Sequence, residues 1–237
     1  MLNRPWMGVL FKRMVLCLFF ICAPLKFYAQ PAPQKPAPGA LRTYVIKQGN
    51  KFYSFFSRPK LFFFRDTLYF TFRLTESCLY EFRLPDGSLD TTTHHAINKV
   101  VGFSRGMNGP ASLLGYRHGI HKINSARIGW RRTVENGTLK DSFDLFLYCY
   151  LRTKRWPHYI GKVEPGETLS GYIVFTRHTL GYNFYNKPWK YERSVRSSFG
   201  MGVALYPYFG GRKPAPHTME IDLDFSGKKS KVINPKS

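Results

Sequence analysis

Apolar and polar residues alternate with a period of two along several stretches of this chain. Between Phe143 and Arg152, the apolar positions 143, 145, 147, 149 and 151 alternate with the residues between them, and Met219 to Phe225 alternates in the same way. Because successive side chains of a strand point to opposite faces of a sheet, both stretches are predicted to be strands with one face in a core. No stretch shows the 3.6-residue period of a long amphipathic helix.

Further β-rich runs are separated by turn signals such as Pro85-Asp-Gly, Glu135-Asn-Gly and Glu164-Pro-Gly-Glu. These additional strands are predicted at 43–47, 51–56, 68–74, 78–84, 96–104, 126–132, 169–177 and 201–206. About ten short strands in a chain of this size predict an all-β fold, a two-sheet antiparallel β-sandwich of jelly-roll type, with a closed barrel as the second choice.

The amino-terminal segment, residues 1–29, has the layout of a secretory signal peptide. Arg4, Lys12 and Arg13 precede an apolar run from Met14 to Leu25, which is shorter than the ~20 residues of a membrane span. Phe27 stands where a small residue is usual before the cleavage site, so an uncleaved anchor is the alternative. Residues 30–40 form a proline-rich spacer, residues 41–225 the β-sandwich domain, and residues 226–237 a basic flexible tail.

The chain is strongly basic, with 36 Lys and Arg against 14 Asp and Glu and a net charge of +22. For a protein exported to the periplasm, the outer surface or the medium, this charge favours an anionic glycan or an envelope protein as partner. Export makes nucleic acid a minor candidate, and membrane contact is expected only if the signal segment stays uncleaved. No cofactor or metal site is expected. Cys78 and Cys149 could form one disulfide or remain two buried thiols.

The segment from Gly115 to Arg132 is the densest in residues able to bind a ligand. If Ala126, Ile128 and Trp130 face the core, the residues between them face outwards, as do the tyrosines of the next strand. Arginine matches carboxylates and sulfates, and aromatic rings stack on sugar rings, so the combination predicts an acidic-glycan site. A solvated sheet face with no ligand is the alternative. The predicted ligand-binding residues are Arg127, Arg131, Tyr148, Tyr150 and Arg152, with His121 at the rim.

The strand succession from Ser125 to Phe175, the run from Leu205 to Gly211, Ala215-Pro-His and the final alternating strand resemble concanavalin A-like jelly rolls, over most of residues 97–225. That group includes laminin-G-like modules, family 16 glucanases and alginate-lyase-type enzymes. The chain also resembles uncharacterised exported bacterial β-proteins that carry Asn-Ser-Ala-Arg-x-Gly-Trp, here Asn124 to Trp130, followed by a Tyr-x-Tyr strand.

The resemblance implies two enzymatic alternatives. In a uronate lyase, His121, Arg127 and Tyr150 could supply the base and the group that neutralises the substrate carboxylate. In a glycoside hydrolase, Glu220, Asp222 and Asp224 resemble the acidic strand of the glucanases, although Asp224 replaces the last Glu. We expect a binding module rather than an enzyme, with the lyase ranked before the hydrolase and a structural subunit of an envelope assembly as the third class.

Overall fold

The computed structural model describes residues 41–53, 61–62, 66–105, 122, 124–196 and 202–225. The predicted signal peptide at 1–29, the spacer at 30–40 and the tail at 226–237 lie outside these residues. Among the residues described, no helix combines the length and the apolar character that crossing a membrane requires.

Within the described residues, the strands form two antiparallel sheets of six strands each. The first sheet has the spatial order β1 (Arg42–Ile46), β12 (Met219–Asp224), β3 (Thr67–Leu74), β8 (Thr168–Phe175), β9 (Thr179–Phe184) and β10 (Lys190–Ser194). The second has the order β2 (Leu61–Phe62), β11 (Gly202–Leu205), β4 (Asn98–Arg105), β5 (Asn124–Glu135), β6 (Thr138–Leu151) and β7 (Lys154–Val163). The predicted two-sheet antiparallel β-sandwich of jelly-roll type is therefore confirmed.

The core lies between the two sheets and follows the alternation seen in the sequence. Phe143, Leu145 and Leu147 of β6 point inwards, as do Ile221 and Leu223 of β12, and all five are buried. Rings meet edge to face across the core, which aromatic quadrupoles favour. The two rings of one such pair, Phe103 of the second sheet and Phe175 of the first, have centroids 5.9 Å apart.

Apart from the two-residue strand β2, which also lies outside the predicted ranges, the sequence-based prediction missed three strands, β7, β9 and β10. Strands β7 and β10 are sheet edges whose side chains are mostly exposed, and Pro157 interrupts the pattern of β7. An edge strand has no second neighbour and needs no strict alternation, so the period of two is weak there.

The predicted strand at 78–84 is wrong. Glu76–Cys78 is a short 3₁₀ turn, and only Arg83 makes an isolated bridge, to Leu89. Cys78 and Tyr80 are nevertheless buried, because this connection packs against the core. The only α-helix in the described chain is α1 (Thr91–His94), which Asp90 caps by accepting a hydrogen bond from the amide of Thr93.

Candidate functional site

The outer face of the second sheet, turned away from the core, carries the residues that the sequence singled out. The register places Arg127 of β5 opposite Tyr148 of β6, and Ser125 opposite Tyr150. On the other side of β6, Tyr150 lies opposite Arg155 of β7. Side chains that face each other across neighbouring strands are in contact range, so arginines and tyrosines share one surface.

Arg127 occupies the predicted outward position, but it is only 9% exposed. Its side chain lies over Gly102 of β4, where an added Cβ would come within 2.7 Å of the Arg127 Cγ. The absence of a side chain at Gly102 therefore makes room for the arginine to lie flat on the sheet. The sequence predicted an outward-facing position here, and the structure shows that this outward-facing side chain is largely buried.

Tyr148 and Tyr150 stand side by side on β6. Their ring centroids are 5.7 Å apart and their hydroxyl oxygens are 3.4 Å apart. Tyr148 is 4% exposed, and its burial, followed by the neighbouring Tyr150, raises the pKa of its phenol. Tyr148 therefore stays neutral at physiological pH and can donate a hydrogen bond, but it is poorly suited to act as a base.

Lys99 of β4 also belongs to this face, and the sequence-based prediction missed it. Its Nζ lies 4.4 Å from the centroid of the Tyr148 ring and 5.7 Å from that of Tyr208, and it donates a hydrogen bond to the carbonyl of Ile97. Burial lowers the pKa of the ammonium to about 7, with further contributions from Arg127 and Arg155. A bulge between Lys99 and Val101 turns Lys99 outwards, and the apolar Val100-Val101 pair is its signal in the sequence.

Tyr208 closes the site beside Lys99. The two residues exchange backbone hydrogen bonds of 2.9 Å in both directions, and the Phe52 ring packs 4.9 Å from the Tyr208 ring. The cationic face, as we name it, consists of Lys99, Arg127, Tyr148, Tyr150, Arg155 and Tyr208.

Cations on this face outnumber the acids that could neutralise them. Within the described part of the chain, neither Lys99 nor Arg155 forms an ion pair. Asp144, the carboxylate on the outer face of β6, accepts from Arg131 at 3.1 Å and from the Thr133 hydroxyl at 3.0 Å. Positive charges accumulated beside aromatic rings favour an anionic ligand with an apolar face.

Two predicted ligand-binding arginines have other positions or partners. Arg131 lies on the same outer face as Arg127, but its guanidinium is engaged by Asp144 and lies 3.0 Å from Nδ1 of His95. Arg152 does not continue the strand pattern: it is exposed in the β6–β7 turn with φ of 51°, and its amide donates to Asn124. His121, predicted at the rim, lies outside the described residues.

The acidic strand motif lies on the other sheet. Glu220, Asp222 and Asp224 belong to β12, on its outer side, and Asp222 accepts from the Thr43 hydroxyl at 2.7 Å and from Arg73 at 2.6 Å. Burial acts to raise the pKa of Asp222, but these hydrogen bonds and the charge of Arg73 outweigh it, and the pKa is lowered. Asp222 is thus held as a structural carboxylate between neighbouring strands, which leaves the hydrolase alternative without its central acid.

Cys78 and Cys149 are free and buried, so of the two alternatives the structure shows the pair of thiols. Among the residues described, no group of three or more His, Cys, Asp and Glu side chains could hold a metal ion. His94 accepts a hydrogen bond from the Phe82 amide at 2.8 Å and stacks on Tyr80, which is a structural role.

No family model matches the chain, and no curated protein matches it. Solved structures to which it is similar include an alginate lyase from Alteromonas sp. 272, with 8% identity over 66% of this chain and 67% of that one, at a TM-score of 0.40. A Bacteroides ovatus mixed-linkage glucan GH16 protein has 6% sequence identity over 80% of this chain and 81% of that one, at a TM-score of 0.39. Xenopus laevis galectin-Ib has 6% sequence identity over 70% of this chain and 100% of that one, at a TM-score of 0.35. The three are jelly rolls of the class that the sequence resembles, and likeness at this level assigns neither a family nor an activity to this chain.

Proposed function

We propose that the protein is an exported binding module whose cationic face takes an anionic polysaccharide. The observation that carries this proposal is the convergence of Lys99, Arg127 and Arg155 with three tyrosines on one sheet face. The signal-peptide pattern of residues 1–29 supports export, where acidic glycans are common polyanions. The net charge of +22 adds long-range attraction for such a polymer.

The chemistry of the face fits acidic sugar units. The exposed Arg155 offers a planar guanidinium group that matches a carboxylate or sulfate with two parallel hydrogen bonds, and the largely buried Arg127 adds positive charge beside it. The partly exposed rings of Tyr150 and Tyr208 offer apolar surface to the carbon face of a sugar ring, and their hydroxyls offer hydrogen-bond donors. A neutral glycan brings no counter-charge to this positively charged surface, so the face should discriminate by ligand charge.

Binding to a panel of polysaccharides tests the proposal. Uronate-containing and sulfated polymers should bind, with affinity that falls as salt increases, and a neutral glucan should not. Arg155→Ala should weaken binding about tenfold or more, because a hydrogen bond to a charged group contributes roughly 1.5–3 kcal/mol. Arg155 is exposed, so its loss should leave the fold intact.

The matched control is Arg177→Ala, which removes the same charge from an exposed position between β8 and β9 on the first sheet. It should leave the affinity nearly unchanged. Equal losses in both variants would mean that binding follows net charge alone, and the proposed face would be rejected.

A uronate lyase is the second candidate, because Arg127 and Tyr150 lie on the same outer face of adjacent strands. Elimination would form an unsaturated product that absorbs in the ultraviolet. The same polymers incubated with the protein should remain intact and show no rise in absorbance if the protein only binds them.

A further inference from the structure

Lys99 is held in a way that anion binding alone does not require. Its Nζ is fixed by the Ile97 carbonyl and lies between the rings of Tyr148 and Tyr208, while its side chain keeps a partly exposed surface. The backbone of Gly210 passes so close that a Cβ there would lie 3.2 Å from Nζ. Contacts on several sides therefore fix the position of the amine, whereas the amine of a surface lysine adopts many positions in solvent.

The surroundings of this amine disfavour its charge. Aromatic walls remove water from it, and the guanidinium groups of Arg127 and Arg155 repel a third cation, so the pKa falls to about 7. About half of the molecules then carry a neutral amine at pH 7, whereas an ordinary lysine with a pKa of about 10.4 is neutral in only about one molecule in 2,500. A desolvated lysine beside other cations is the environment in which the amine becomes a nucleophile.

We propose that Lys99 forms a reversible imine with an aldehyde or ketone that also carries an acid group. The inference rests on the proposed function, because Arg127 and Arg155 would hold the acid group while the carbonyl carbon meets Nζ. The relevant ligands are the open-chain reducing end of an acidic sugar and other carbonyl acids.

The step is balanced without any further reactant. The neutral Lys99 amine attacks the carbonyl carbon, a proton moves from nitrogen to oxygen, and the neutral carbinolamine loses one water molecule to give the neutral imine. The hydroxyl of Tyr148 lies close to this point and can donate a hydrogen bond to the departing oxygen. Hydrolysis reverses the reaction and releases the ligand.

Reductive trapping in the full-length protein tests the proposal. The protein is incubated at pH 7 with pyridoxal 5′-phosphate, which is an aldehyde with a phosphate, or with pyridoxal, which lacks the phosphate. Borohydride then fixes any imine, and peptide mapping by mass spectrometry measures the modified fraction at each lysine. Lys140, an exposed lysine of β6, is the internal reference.

We expect Lys99 to be modified at least about tenfold faster than Lys140, and we expect the preference for pyridoxal 5′-phosphate over pyridoxal to be larger at Lys99 than at Lys140. Lys99→Arg should lose this adduct, because a guanidinium does not form an imine under these conditions. Glucuronic acid should slow the labelling of Lys99 and glucose should not.

The outcomes separate the two proposals. Rapid modification of Lys99 with the same preference between the two aldehydes as Lys140, without protection by glucuronic acid, would support the reactive amine and reject anion binding at this face. Modification of Lys99 no faster than that of Lys140 would overturn the imine proposal, even if acidic polymers bind and Arg155→Ala weakens them.

Discussion

Replacing Lys99 by Met should stabilise the protein, and more so in acid than in base. The folded protein lowers the pKa of Lys99 from 10.5 to about 7, chiefly by burial. Below pH 7 the lysine is charged in both states, and folding carries the full cost of the desolvated charge. Between pH 7 and 10.5 the folded state releases the proton while the unfolded state keeps it, so the stability of the wild-type protein rises with pH.

The size of the effect follows from the two pKa values. At pH 6 the charged Lys99 costs the folded state about 5 kcal/mol, and at pH 9.5 about 1.5 kcal/mol, taking 1.36 kcal/mol for each pKa unit. Lys99→Met removes this cost and keeps an unbranched side chain of similar length. The stabilisation of Lys99→Met over wild type should therefore be about 3 kcal/mol larger at pH 6 than at pH 9.5.

Urea unfolding of both proteins at the two pH values measures this difference. Effects of the new apolar side chain are common to both pH values and cancel in the comparison. Lys140→Met, which removes an exposed lysine, is the control and should change stability by nearly the same amount at both pH values. If Lys99→Met, like Lys140→Met, changed the free energy of unfolding by the same amount at both pH values, Lys99 would not be desolvated in the folded protein. The environment inferred for the reactive amine would then be wrong.

Two further predictions concern residues away from the cationic face. Asp222→Asn should destabilise the protein by about 1–3 kcal/mol at pH 7, because the carboxylate that accepts from Thr43 and Arg73 is lost. The pKa of Asp222 is lowered in the folded protein, so the loss of stability in Asp222→Asn should shrink as the pH falls through this pKa and the wild-type carboxylate becomes protonated. A loss of stability that does not depend on pH would contradict this prediction. An equal loss in the control Glu164→Gln, which changes an exposed carboxylate, would contradict it as well. Cys78 and Cys149 should resist alkylation in the native protein and react after unfolding, because burial raises their thiol pKa values to about 12 and about 11; rapid native labelling would refute their burial.

The sandwich was predictable where both local signals and burial agree. Strand β6 shows alternation because its inner face packs in the core, and the turn before it carries Asn136-Gly137 with φ of 50° and 72°. Asn-Gly is the pair that best tolerates positive φ at both central positions of a two-residue hairpin. The sequence therefore contains the signal for the β5–β6 hairpin.

The next hairpin lacks such a signal. Arg152 and Thr153 connect β6 to β7 with φ of 51° and 68°, although neither residue favours that conformation. Tertiary pairing of two long strands fixes this turn in spite of its local preferences. The predicted strand consequently ran one residue too far, and Arg152 was assigned to the outer face when it lies in the turn.

The candidate site was predictable only as far as one strand pair reaches. Strand alternation identifies the outward direction of Arg127, Tyr148 and Tyr150, since all three lie on neighbouring strands. Strand alternation gives no information about Lys99, because a bulge in β4 changes the face on which its side chain lies. It also gives none about Tyr208, which follows β11 and is distant from Lys99 in the sequence. Alternation alone also ranks Arg131 equal to Arg127, because the partners Asp144 and His95 become visible only in the folded chain.

Glycines on the outer face explain why this part of the sheet holds large side chains so closely. Gly102 lies opposite Arg127 and Gly129 lies opposite Phe146, and a Cβ at Gly129 would also come within 3.4 Å of the Tyr148 Cβ. A side chain at Gly102 would occupy space that Arg127 uses, whereas a Cβ at Gly129 would lie 2.5 Å from the Ile97 Cγ2 and only at ordinary contact distance from Tyr148. Glycine inside a strand costs stability relative to residues with side chains. Gly102 is therefore accounted for by the close approach of Arg127, and Gly129 by the close approach of Ile97.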